Sequence, residues 1–194
     1  MTKTNLLDEF KLFSEKATAD LILPVQRDKM DKEAPSPRAP EAHIMALADF
    51  RSCKKKAPYM IHQIFTAKDQ WQDAQPGQKA GIVSMATVRS IFAVYHENSQ
   101  EGQLALLEMF ERVRIALLRQ GVIGKQFRLD IRAGIEYLVY LDNIYPFYAG
   151  EMVTVWKLPP VEREVLYGKQ GYSNIRKVGP DGHVCGGEHY GTQE

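Results

Sequence analysis

Ile82-Val83-Ser84-Met85-Ala86-Thr87-Val88-Arg89-Ser90-Ile91-Phe92-Ala93-Val94-Tyr95 alternates with a period close to two. His96-Glu97-Asn98-Ser99-Gln100-Glu101-Gly102 then leads into a segment of helical period that closes at Gly121. Val83, Met85, Ile91 and Tyr95 fall on one side of the strand and Ile82, Val88, Phe92 and Val94 on the other. Apolar groups on both faces predict a central strand. Asn98 can accept a backbone N–H and Glu101 can reach back to it, a capping-box pattern, while Gly121 suits a C-terminal cap. Between the caps, Leu106, Leu107, Met109, Phe110, Val113, Leu117 and Leu118 project as one apolar face, with Glu108, Arg112 and Arg119 opposite. That face requires a sheet to cover. Arg114 projects near its centre, where a charge needs a partner such as Glu111 or a strand carboxylate; either its stem packs on the sheet and its head reaches the edge, or it pairs across a subunit interface.

Working outward, residues 59–65 (Tyr-Met-Ile-His-Gln-Ile-Phe) follow Pro58 and are rich in aromatic and β-branched side chains, which predicts a strand at a sheet margin. Residues 69–81, with Pro76-Gly77, read as a turn. Residues 127–131, 135–140 and 151–157 read as three further strands, the last two separated by a turn over 142–148. Residues 121–125 resemble a phosphate loop only faintly; they have the wrong length and follow a helix, so they read as a turn. The expected class is α+β: an antiparallel sheet of about four or five strands with a helix across one face, plus an N-terminal helix and an extended arm.

Four regions follow. Residues 1–23 hold an amphipathic helix over about 5–20, with Leu6, Leu7, Phe10, Phe13 and Ala17 on one stripe and Thr4 as N-cap. So short a helix must dock, on its own domain or on a neighbour. Residues 24–57 contain Pro24, Pro35, Pro37 and Pro40 and read as an extended arm or loop. Within it the patch His43-Ile44-Met45-Ala46-Leu47 implies contact with something. Residues 58–160 form the α+β core, and residues 161–194 a glycine-rich tail.

The 25 basic and 24 acidic residues nearly cancel, so no long-range field gathers nucleic acid or an anionic membrane. Lys54-Lys55-Lys56 reads as a solvated strand flank. Two cysteines, Cys53 and Cys185, are too few for a disulfide framework. Neither a signal-peptide pattern nor a run of membrane-spanning length is present, so synthesis in the cytoplasm is expected.

No local signature of a nucleophile elbow, phosphate loop, zinc-protease helix or dinucleotide fold occurs. The expectation is therefore no catalytic residue and no cofactor. His183, Cys185 and His189, with Glu188 nearby, offer metal-ligand chemistry, but their spacing fits no zinc signature and a fourth ligand would have to come from Cys53 or His43. Asp130, Glu136, Asp142 and Glu151 lie near strand ends as scattered acids, with no spacing that pairs a chosen two.

The block from Ile91 to Tyr95, the acidic turn His96-Glu97-Asn98-Ser99-Gln100-Glu101-Gly102, the helix Leu106 to Leu118, and Tyr148-Ala149-Gly150-Glu151-Met152 with Trp156-Lys157-Leu158-Pro159-Pro160 resemble the tail-completion proteins of tailed bacteriophages, particularly the tail terminators. The resemblance covers roughly the central half of the chain. It implies a structural virion subunit, made in the host cytoplasm, that forms a ring, commonly a hexamer, capping the tail tube. Its partners would be itself, the tail-tube protein and a neck or connector protein, with no membrane and no specific nucleic acid. Arg89, Arg112, Arg114, Arg119 and Glu151 are the candidate interface residues. The arm over 24–58 and the tail after Glu164 depart from the usual compact member. A head–tail connector or other neck protein is the nearest alternative; a metal-binding or small-ligand module is the alternative from another class.

Overall fold

The computed structural model describes residues 3–26, 35–44, 56–73, 81–141 and 145–159. In chain order these form helix α1 (Lys3–Ala17), strands β1 (Glu41–Ile44), β2 (Tyr59–Gln72) and β3 (Gly81–Tyr95), helix α2 (Ser99–Gln120), and strands β4 (Val122–Ile123) and β5 (Phe127–Leu129). A 3-10 turn (Ile131–Ala133) and strands β6 (Ile135–Val139) and β7 (Phe147–Leu158) complete them. The class is α+β, but the sheet is larger than expected and is mixed. It has seven strands in the order β1-β2-β3-β7-β5-β4, with β6 beside β7. β1 lies parallel to β2, Glu41 opposite Tyr59, and the other pairings are antiparallel. The extra strands are short ones: β1 has four residues and β4 two, too few to carry a period of their own.

β3 and β7 are the central pair, with Ser84 opposite Leu158 and Tyr95 opposite Phe147. β5 and β6 share the far edge of β7 in succession, β5 beside Lys157 and Trp156 and β6 beside residues 150–154. One face of the sheet carries the core. Ala86, Val88, Phe92 and Val94 of β3 and Tyr148, Met152 and Trp156 of β7 are buried against Leu106, Met109, Phe110, Val113 and Leu117 of α2. Each such side chain contributes roughly 1.5–3 kcal/mol of hydrophobic stabilisation.

The stripe of α1 docks on its own sheet. Leu6 and Phe10 are fully buried, and the Phe10 ring meets Trp156 edge-on at 5.5 Å. The helix begins at Lys3, so Thr4 lies inside it and does not cap it. Leu21, Leu23 and Val25 are also buried, and Ile44 packs on the core, so part of the proline-rich region is integral to the body. Met45, Ala46 and Leu47 lie outside the described residues.

α2 has the expected ends. Asn98 Oδ1 accepts from the N–H groups of Gln100 (3.0 Å) and Glu101 (3.4 Å), and Gly121, at φ 64°, donates its N–H to the Leu117 carbonyl. The return half of the capping box differs. The Asn98 N–H donates to His96 Nδ1 (3.0 Å), and Glu101 meets His96 Nε2 (3.1 Å). His96 therefore completes the cap from outside the helix. Leu107 and Leu118, expected on the core face, are 39% and 43% exposed, because the buried arc is narrower than the apolar one.

β2 runs on through residues 66–72, where a turn was expected from Asp69. A register shift between Ile64 and Thr66 carries it into a long hairpin with β3. β7 likewise begins at Phe147, inside the expected turn. Residues 121–125 hold β4 and a tight turn with positive φ at Gly124 (55°) and Lys125 (61°), closed by the Gln126 N–H to the Ile123 carbonyl. Among the described residues no helix is long and apolar enough to cross a membrane.

Candidate functional site

Three arrangements of polar or exposed side chains stand out. The first is buried. His62 of β2 is fully enclosed, with Ser14 Oγ of α1 at 2.8 Å from Nε2 and Ser90 Oγ of β3 at 2.8 Å from Nδ1. Ser14 donates its single hydroxyl proton to the Lys11 carbonyl (2.9 Å), so it accepts from His62, and the ring carries its proton on Nε2. Ser90 then donates to Nδ1. Burial, reinforced by the nearby charge of His43, pushes the His62 pKa down to about 3. Ser14 takes a proton from the imidazole and Ser90 gives one to it, but all three side chains are fully buried. The trio fastens α1 to the sheet and is sealed from substrate.

The second lies on the sheet face away from the helices. Arg89 and Glu151 form an ion pair, with Nε donating to Glu151 Oε2 at 2.6 Å, and Tyr140 Oη donates to the same oxygen at 2.8 Å. The hydrogen bond to Glu151 raises the Arg89 pKa, and burial first, then that carboxylate, raises the Tyr140 pKa. Two of the candidate interface residues thus satisfy one another within the subunit. Arg112 bridges Asp20 and Glu108, and its hydrogen bond holds the Asp20 carboxyl below its usual range. Arg114 pairs with Glu111 through two hydrogen bonds (3.0 and 2.6 Å), at the edge of the helix. Arg119 is exposed in the last turn of α2, where a cation suits the helix terminus. The structure therefore does not gather the five into one patch.

The third went unnoticed in the sequence. Leu104, Leu107, Ile115 and Leu118 form a second stripe on the exposed flank of α2, at spacings of three, eight and three residues that return to one side of a helix. β6 also meets this helix, since Tyr137 stacks on Phe110 at 5.3 Å. Tyr137, Leu138 and, just beyond, Leu141 are all exposed. Of the four, the helical pattern places Leu107 and Leu118 on the core face and leaves Leu104 and Ile115 without a face.

A cleft of about 610 Å³ opens at the end of β3, walled by Pro24, Val25, Pro35 and Pro37 against Tyr95, His96 and Glu97. Among the described residues, no group of three or more His, Cys, Asp and Glu side chains is placed to hold a metal ion. His183, Cys185 and His189 lie outside the described residues, as does Cys53. Asp130 meets Lys157 (3.4 Å), Glu151 meets Arg89, and Glu136 is exposed on β6, so no carboxylate pair forms among them; Asp142 is outside the described residues. A scan against protein-family models finds no matching family, and a search of curated proteins finds no matching relative.

Proposed function

We propose that the chain is a structural assembly subunit, a tail terminator of a tailed bacteriophage that closes into a ring and caps the tail tube beneath the neck. The observation that carries this reading is the setting of the strand, acidic turn and helix on which the resemblance rests. The block forms the middle of a packed body whose sheet leaves exposed strand at two separate margins, β6 on one side and the outer half of β2 on the other. A ring needs two different surfaces per subunit, because a contact that repeats around an axis joins unlike patches.

The reading also accounts for the stripe on α2. Exposed leucines, and a strand edge left open among the described residues, are costly to solubility unless something covers them. Ion pairs such as Arg89–Glu151 and Arg112–Asp20 then serve to hold the subunit's own elements in place.

The test is tail-tube length. Cognate tube protein polymerised with and without the purified chain is imaged by negative-stain electron microscopy. Tubes that stop growing and carry a density at one end support a terminator. Tubes of unchanged length and bare ends refute it, and binding to a connector ring in place of the tube end moves the assignment to a head–tail connector.

A further inference from the structure

Resting on the ring reading, we infer that the β6 edge of one copy pairs with the outer half of β2 in the next copy, so that adjacent subunits share one continuous sheet. The backbone of β6 is prepared for this. The Tyr140 N–H donates to the Ala149 carbonyl, which sets the alternation along the ladder: Glu136 and Leu138 bond toward β7, while Ile135, Tyr137 and Val139 turn their N–H and C=O groups outward. A strand in that state is a template for another strand.

The opposite margin supplies one. Among the described residues, β1 covers β2 only along residues 59–62, and residues 65–71 are exposed throughout. Direction also fits. β2 and β7 run the same way and β6 runs against them, so a copy brought round by rotation about an axis that runs along the strands presents its β2 antiparallel to β6.

One face offers a charge match as well. Glu136 stands opposite Val153 and Lys68 opposite Met85, both on the sheet face away from the helices. Tyr137 stands opposite Met152 and Trp71 opposite Ile82, both on the helix-bearing side. Antiparallel contact in the register that sets Glu136 against Lys68 places an exposed carboxylate against an exposed ammonium on the first face, while on the second Tyr137 faces Ala67, four residues from Trp71. The edges differ, so the contact is head-to-tail and can propagate until it closes. A two-fold pairing of β6 with β6 would instead place Glu136 against Leu138 and stop at two subunits.

The experiment uses the full-length chain, with circular dichroism to confirm folding. Glu136→Lys and Lys68→Glu are made singly and together, and assembly is followed against concentration by mass photometry, alone and with tail tubes. Each single reversal opposes like charges and should raise the concentration needed for assembly about tenfold; the double variant should return within about threefold of wild type. In a background with Cys53 and Cys185 changed to Ser, the pair Glu136→Cys with Lys68→Cys should yield a ladder of covalent oligomers on mild oxidation, and neither alone should. Rings indifferent to both reversals overturn the inference and leave the ring reading standing; a lone dimer band from Tyr137→Cys, with no larger species, overturns both. Wild-type chain that assembles in neither sample overturns both.

Discussion

Gly150 of β7 lies directly beneath Phe110 of α2: a Cβ built on the glycine would sit 2.9 Å from the Phe110 ring and 2.5 Å from the Leu138 carbonyl oxygen. The ring occupies that space between Phe92 (4.6 Å) and Tyr137 (5.3 Å), so the missing side chain is what lets the helix settle on three strands at once. Gly150→Ala should cost about 1–3 kcal/mol through overpacking and lower the melting temperature by several degrees. Thermal unfolding followed by circular dichroism measures it. An unchanged melting temperature would mean the helix does not pack as described.

His62 makes stability depend on pH. Its pKa is held at about 3 in the native state against an ordinary 6.5, because burial opposes the charged ring. Between those values the unfolded chain binds a proton that the native chain does not, so stability rises with pH across the window. The contribution is complete above about pH 6.5 and is lost as pH falls toward 3, with a slope of at most about 1.4 kcal/mol per pH unit. Urea unfolding at pH 4, 5, 6 and 7.5 should show this slope in wild type and a flatter one in His62→Gln. Parallel slopes would contradict it.

Asn98→Ala should destabilise by about 1 kcal/mol, since two backbone N–H groups at the start of α2 lose their acceptor. Denaturant midpoints would report the loss. His96→Ala should cost less, because it receives one backbone N–H, from Asn98.

Legibility followed how local the determinants are. The limits of α2 stand in the sequence because its caps, Asn98 and Gly121, act within four residues, and β3 shows because its period extends over many residues. β1 was invisible because four residues among prolines become a strand only when β2 is beside them. Residues 66–71 are mostly polar and exposed, and the stretch 66–72 is strand only through the hairpin register. The candidate interface residues were chosen by charge. Most of those charges proved to be spent inside the subunit, Arg89 on Glu151 and Arg112 on Asp20. The apolar flank of α2 escaped because a projection at 100° per residue shows which residues are apolar but not how wide an arc the sheet covers.

The Arg89–Glu151–Tyr140 cluster should act within the subunit. A double-mutant cycle of Arg89→Ala and Glu151→Gln, read by urea unfolding, should give a coupling of roughly 0.5–1 kcal/mol, modest because Arg89 is partly exposed. Neither change should alter assembly as much as Glu136→Lys does. A larger effect on assembly than on unfolding would return these residues to the interface.

Mass photometry of the purified chain, alone and with tail tubes, tests the central claim most directly. The account predicts a closed ring of about six copies, either free or formed on tube ends, as repeated head-to-tail contact requires. A persistent monomer in both samples, with tube ends left bare, would contradict it.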